Sequence, residues 1–344
     1  MTDVENQITK LLIDTDPGID DVMAILLALV TPKVEVCSIT LTHGNTSLEN
    51  VKRNLLTIFH VLDRQAEVTG IDIFKGSRPR ISIGSSHPLK GSLFTAEDFH
   101  GRDGMGNITI THPHLMDPEW ETRLSGDKQH PRYETSPLNA VDEIIWQLNN
   151  HPPNTITILA LGPLTNIAMV IEKDPGVLKK AKKIVSMGGA IFAPGNVSPL
   201  AEFNFYADPH AASVVIKATK GGAVPLVLVP LDITHTSYLF QDFVVARLGS
   251  VNEPLAGMFL NMLRDGFKFT AELDGLDAVA LHDPLAAAIA LGLVHPEMKK
   301  LAVHVECEST LTYGACVVDR RFNPPPPLTD KDPHRECLSH FPRA

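Results

Sequence analysis

Four aspartates fall within eight residues near the start of the chain, in the run Ile13-Asp14-Thr15-Asp16-Pro17-Gly18-Ile19-Asp20-Asp21. Apolar residues flank it, Leu11 to Ile13 before and Val22 to Val30 after. The flanks read as a strand passing into a helix, and Pro17-Gly18 supplies a fixed φ followed by a residue free of Cβ restriction. Such a loop sits at the carboxyl end of a strand in an open α/β sheet, where ligands bind. So much negative charge in so short a space needs a cation. A hard divalent ion held by carboxylate oxygens meets that need, and Ca²⁺ suits the cluster better than a thiolate-seeking metal. The helix beginning near Asp20 adds a partial positive charge at the same place. Helix capping by Asp20 and Asp21, and turn bonds from Asp14 and Asp16, explain one or two of the four but not all.

The same strand-to-helix alternation continues along the chain and predicts βα units on a mainly parallel sheet. Strands are expected at Leu11 to Ile13, Val34 to Thr42, Thr155 to Leu161, Lys183 to Ser186 and Pro225 to Val229. Helices are expected at Asp20 to Val30, Leu48 to Leu62, from a Ser136 cap to Asn149, and at Leu164 to Glu172, Pro209 to Ala218 and Pro284 to Leu291. Leu301 to Cys307 and Gly314 to Asp319 read as a closing strand pair. The expected fold is α/β, an open, mainly parallel, mixed sheet flanked by helices and Rossmann-like. No polar linker or internal repeat divides the chain, so residues 1–322 read as one domain. Residues 82–135, rich in Gly, His and Pro, read as an irregular lid or insert, and 323–344, opening on Pro324 to Pro327, as a polyproline-like surface tail.

A formal charge of −10 argues against a nucleic-acid partner, which needs a basic face. A small neutral substrate fits better. The N-terminus lacks the basic and apolar regions of a secretory signal, and the longest apolar stretch, Ala278 to Val294, is broken by His282-Asp283-Pro284. No membrane partner and a cytoplasmic location are therefore expected. Cys37, Cys307, Cys316 and Cys337 show no C-x-x-C spacing, read as reduced packed thiols and argue against a zinc site.

Other polar groups occur at strand ends. Asn45 follows the second strand, and in Leu161-Gly162-Pro163-Leu164-Thr165-Asn166 the Leu161 carbonyl could face a Ca²⁺ ion, while Asn166 reads as a polar residue at a helix start. Met187-Gly188-Gly189, Gly195-Asn196 and Ala201-Glu202-Phe203-Asn204 place amides and a carboxylate on an irregular loop, a set suited to sugar hydroxyls. Each of these residues alone fits loop solvation equally well. His282 and Asp283 stand inside an apolar, Ala-rich segment, where a charge is costly without a partner. Asp283 fits a helix N-cap before Pro284 at the first helical position, and it also fits a carboxylate aimed back at the metal.

In their order and spacing, Asp14 to Asp21, Gly44-Asn45, Gly162 to Asn166, Met187 to Gly189, Gly195-Asn196, Ala201 to Asn204 and Leu281 to Pro284 resemble the nucleoside hydrolases, the inosine/uridine-preferring nucleoside N-ribohydrolases. The resemblance covers about Ile8 to Arg321 and includes His100-Gly101-Arg102-Asp103-Gly104, similar to that family's flexible lid. It implies Ca²⁺ at Asp16, Asp21, Asp283 and the Leu161 carbonyl, completed by water and the ribose 2′- and 3′-hydroxyls. It implies that Asp20, Asn45 and Asn204 hold those hydroxyls, that Asn196 and Glu202 hold the 5′-hydroxyl, and that Met187 packs near the ribose, with Phe203 and Asp283 also on the substrate. Asp16 would be the general base and His282 the acid for the leaving base. The substrate would be a ribonucleoside, and the protein a homodimer or homotetramer. Two other classes compete. A metal-dependent phosphohydrolase also places Asp-x-Asp after a first strand, but Pro17-Gly18, the doubled Asp20-Asp21 and the Glu202 loop disfavour it. A non-catalytic nucleoside-binding protein would use the same scaffold.

Overall fold

The computed structural model describes residues 8–74, 78–220, 222, 224–319 and 337–340. Nine strands build the main sheet: in chain order β1 (Thr9–Thr15), β2 (Val34–Leu41), β3 (Arg80–Ile83), β4 (Glu134–Thr135), β5 (Ile156–Ala160), β6 (Lys183–Met187), β7 (Leu226–Val229), β8 (Met298–Leu301) and β9 (Cys337–His340). Their spatial order is β8-β9-β7-β6-β5-β1-β2-β3-β4. Every pairing is parallel except β8 with β9. β1 and β5 therefore lie at the centre, and β5 is buried along its whole length, as a strand covered on both faces must be.

The expected strands and helices near the aspartates, β5 and β6 are present, with four differences elsewhere. β3 and β4 bracket the insert, and residues 82–135 hold short helical turns at Glu97–His100, Ile108–Thr111, Pro113–Leu115 and Trp120–Leu124. The helix after the insert spans Ala140–Asn150 and is capped by Asn139, whose side chain accepts from the Asp142 N–H. Ser136 instead accepts from Arg80 and donates to Glu143. The closing pair is shorter than expected, Val305 and His304 against Cys316 and Val317. Of residues 323–344, read as a surface tail, 337–340 enter the sheet between β7 and β8; the proline run lies outside the described residues. Among the described residues no helix is long and apolar enough to cross a membrane.

One buried polar tie holds the sheet's carboxyl edge together. Asn166 does not cap its helix. It donates to Asp14 Oδ1 (2.8 Å) and the Leu41 carbonyl (3.0 Å) and accepts from the Ser85 N–H (3.0 Å), joining the ends of β1, β2 and the segment after β3. Asn166→Ala strands all three groups in a dry place, so it should lower the unfolding free energy by at least about 2 kcal/mol. Urea denaturation measures this, and a loss under about 0.5 kcal/mol, the usual size for a surface change, would contradict the assignment.

Candidate active site

The aspartate loop leaves β1 at the sheet's carboxyl edge and enters the helix Ile19–Val30. Asp16 is fully buried there, and its Oδ2 accepts the Asn45 N–H at 2.6 Å. Two neighbouring turns approach so closely that only glycine fits. A Cβ at Gly44 would lie 1.9 Å from Asp16 Oδ2, and one at Gly162 would lie 2.4 Å from Asp16 Oδ1. Asp21, in the first turn of the helix, accepts from the Gly18 N–H (2.9 Å), the Asn45 amide (2.9 Å), the Asp16 N–H (3.3 Å) and the Thr15 hydroxyl. Its carboxylate is thus fixed by the turn that Pro17-Gly18 makes.

Asp14, the first of the four aspartates, faces away from this centre and binds Thr40 (2.5 Å) and Asn166. Asp283 arrives from the helix His282–Leu291; Leu281 occupies the N-cap position, so Asp283 lies inside the first turn and does not cap it. Carboxylate oxygens of Asp20, Asp21 and Asp283 lie within 4.8 Å of one another. Asp20 therefore joins the acidic group itself, where the resemblance implies only a hold on the sugar hydroxyls.

Burial pushes every carboxyl in the group up from its ordinary value. Asp20 rises to about 6; Asp16 and Asp283 rise well above the usual range, with the neighbouring aspartates adding to the effect. Among the described residues no lysine or arginine forms an ion pair with any of them. His100 Nε2 stands 4.0 Å from Asp20, but burial pulls His100 down to about 4, so it is neutral. Asp16 Oδ1 is buried without a hydrogen-bond partner. An all-oxygen donor set with an orphaned carboxylate oxygen fits a hard divalent cation.

A cleft of about 750 Å³ is lined by Asp20 and Asp283 of this group; Asp16 and Asp21 are fully buried and do not line it. Asn45, Leu161, Met187, Asn196, Glu202, Phe203, Asn204 and His282, all singled out in the sequence, line it. Glu202 caps the short helix Phe203–Ala207 and accepts the N–H groups of Asn204, Gly189 and Phe205; burial still pushes it up to about 7. Asn196 Oδ1 accepts the Phe203 N–H (3.0 Å), which leaves its amide N–H groups for a ligand. Asn204 donates to the Leu161 carbonyl (2.6 Å), so its own Oδ1 is the group left to accept, and the Leu161 oxygen keeps one lone pair. His282 Nδ1 pairs with the Thr234 hydroxyl (2.8 Å), and burial lowers its pKa to about 3, so it is neutral with Nε2 as the available nitrogen.

Sequence reasoning places base-contacting side chains on the lid and on helices around Tyr238 to Thr270 without naming them; the cleft is lined by His100, Phe94 and Phe99 from the insert, by His235 and Tyr238, and by Phe269 of the helix Pro254–Asp274. His100 Nδ1 accepts the Ile19 N–H at 3.1 Å, which fixes the proton on Nε2, and a Cβ at Gly18 would lie 2.7 Å from that ring. The only signal in the sequence was its place in the Gly-rich lid motif.

Folding raises the pKa of these carboxyls, so the folded state binds protons more tightly than the unfolded state and loses stability as pH rises through those values. Buried His43, His100 and His282, all lowered, pull the other way, but only below about pH 6.5, where unfolded histidines take up protons. Chelator-treated protein should therefore melt at lower temperature at pH 8 than at pH 6.5, and added Ca²⁺ should raise the melting temperature at pH 8. A melting temperature unmoved by either change would contradict the cation role of the cluster.

The family described as inosine-uridine preferring nucleoside hydrolase matches residues 11–340. Uridine nucleosidase 1 of Arabidopsis thaliana is 36% identical over 321 residues, 92% of this chain and 82% of that protein. The inosine-uridine preferring nucleoside hydrolase of Leishmania major is 34% identical over 316 residues, 92% of this chain and 89% of that one. A solved plant nucleoside hydrolase superposes with a TM-score of 0.76 at 28% identity, covering 97% of this chain and 94% of its own. The family match over nearly the whole chain and these likenesses agree, and the chain belongs to the inosine-uridine preferring nucleoside hydrolase family.

Proposed function

We infer that the protein is a ribonucleoside N-glycosidase, hydrolysing the bond between ribose and base to release ribose and the free nucleobase. The observation that carries this is the lining of one cleft, which brings together Asp20 and Asp283 of the buried acidic group, the polar side chains Asn196, Glu202 and Asn204, and a set of aromatic and imidazole rings. A sugar with several hydroxyls matches the polar groups, and a planar base matches the rings.

Asp16, Asp21, Asp283 and the Leu161 carbonyl would hold Ca²⁺, with Asp20 within reach of the same ion. When bound, the cation orients the sugar diol and makes the attacking water more acidic. Asp16 acts as general base: Asn45 holds its Oδ2, and its unpartnered Oδ1 is the oxygen that takes the proton. Asp20, Asn45 and Asn204 hold the 2′- and 3′-hydroxyls, and Asn196 and Glu202 the 5′-hydroxyl, beside Met187 and Phe203. Carboxylate and amide oxygens crowded round the ribose stabilise the positive charge that grows on it as the bond breaks. His282, neutral in this setting, offers an imidazole N–H to the departing base as a hydrogen-bond donor.

Asp16→Asn keeps the shape of the side chain and removes the base. Turnover, followed as ribose release from uridine or inosine, should fall at least about 10²-fold while the fold survives; near-normal turnover would show that another group activates the water. A site built for hydroxyls leaves its polar groups unpaired when one is missing. For 2′-deoxyuridine kcat/KM should therefore fall well below that for uridine, and equal values would remove the diol contact.

A further inference from the structure

The start of β2, at the opposite end of that strand from the cleft, carries a second cluster that nucleoside hydrolysis does not use. Glu35 and Cys37 stand two residues apart on β2, where Cys37 is the residue skipped in the pairing with β1. His151 ends the helix Ala140–Asn150 that packs beside them. One ligand atom from each of the three lies within 4.8 Å of the other two. Cys37 is buried, while Glu35 and His151 are half-buried, which leaves a path for an ion and a water from solvent. We propose that Glu35, Cys37 and His151 form a second metal site that takes a borderline-soft divalent ion, Zn²⁺ by its ligand chemistry.

Geometry supports this first. Cys37 Sγ lies 3.7 Å from Glu35 Oε1. A tetrahedral zinc with Zn–S of about 2.3 Å and Zn–O of about 2.0 Å sets its sulfur and oxygen ligands about 3.5 Å apart. The pair therefore stands close to one edge of such a site before any ion arrives. The histidine is also prepared. His151 Nδ1 lies 3.0 Å from the Gln147 carbonyl, which can only accept, so Nδ1 carries the proton and Nε2 keeps its lone pair. Metal-bound imidazoles are usually oriented by this kind of bond. A sulfur, nitrogen and oxygen set disfavours Ca²⁺, which takes oxygen ligands, so the two ends of β2 would sort metals by softness.

Binding releases the Cys37 thiol proton to solvent and leaves the thiolate on the metal. Lys10 Nζ lies 2.8 Å from both Glu35 oxygens and competes with the ion for them. Thiolate and carboxylate together balance the charge of the ion, with water as fourth ligand. The cysteine spacing gave no sign of this site because its ligands come from an irregular stretch of one strand and a distant helix end, not from C-x-x-C.

The test is a Co²⁺ titration of the full-length protein in excess Ca²⁺, so that the acidic centre is already filled. One equivalent of Co²⁺ should bind with a near-ultraviolet thiolate-to-cobalt charge-transfer band, and Zn²⁺ should abolish that band. Cys37→Ser should remove the band while ribose release continues, which reports an intact fold. His151→Ala, a change at a half-exposed helix end that spares β2, should weaken Co²⁺ binding at least about 10-fold, and Lys10→Met should tighten it. No band in the unaltered protein, a band that persists in Cys37→Ser, or unchanged affinity in His151→Ala would overturn the proposal.

Discussion

Like charges buried together at the carboxyl edge of a parallel sheet govern the rest of this structure. Asp16, Asp20, Asp21 and Asp283 lie in a place too dry for their charged forms, and no described lysine or arginine answers them. The surroundings nevertheless hold them there. Gly44 and Gly162 let the backbone come against Asp16, Asn45 spends its N–H and its amide on Asp16 and Asp21, and the Pro17-Gly18 turn sets Asp21 under its donors. Such an arrangement stores repulsion that a bound cation relieves, so binding and stability become one equilibrium.

Burial that raises the carboxyls also lowers the histidines. His100 and His282 both line the cleft, and both are neutral. A neutral ring can meet an uncharged base without adding a cation beside the positive charge growing on the ribose. On the proposed reading, Glu202, Asn204 and the carboxylates of Asp20 and Asp283 act in the opposite sense, presenting oxygen to the same cleft, which that charge attracts.

Much of this was legible in the sequence because several of the site residues stand at or just after the end of a strand. The βα alternation marks those positions, and Asp16, Asn45, Leu161 and Met187 fall on them. Fold signals weakened where elements are short: β4, the edge strand, has two residues and its neighbour β3 has four, beside Gly- and Pro-rich chain. β9 follows a proline run with no βα unit to announce it. His100 was hidden for another reason. Its role rests on a contact with Ile19 across 81 residues, and no local pattern encodes that. Residue chemistry alone does not separate Asp14 from Asp16, and only the family resemblance set Asp14 apart; in the fold the two differ in what meets them, Asn166 and Thr40 for Asp14 and Gly44 and Asn45 for Asp16.

Elemental analysis of protein purified without added metal or chelator addresses the acidic centre most directly. One Ca²⁺ per chain is expected in the unaltered protein, with Ca²⁺ lost from Asp21→Asn and Asp283→Asn together with ribose release. Protein that carries no divalent ion and still releases ribose at its full rate would contradict the reading of the buried carboxylates as a cation site.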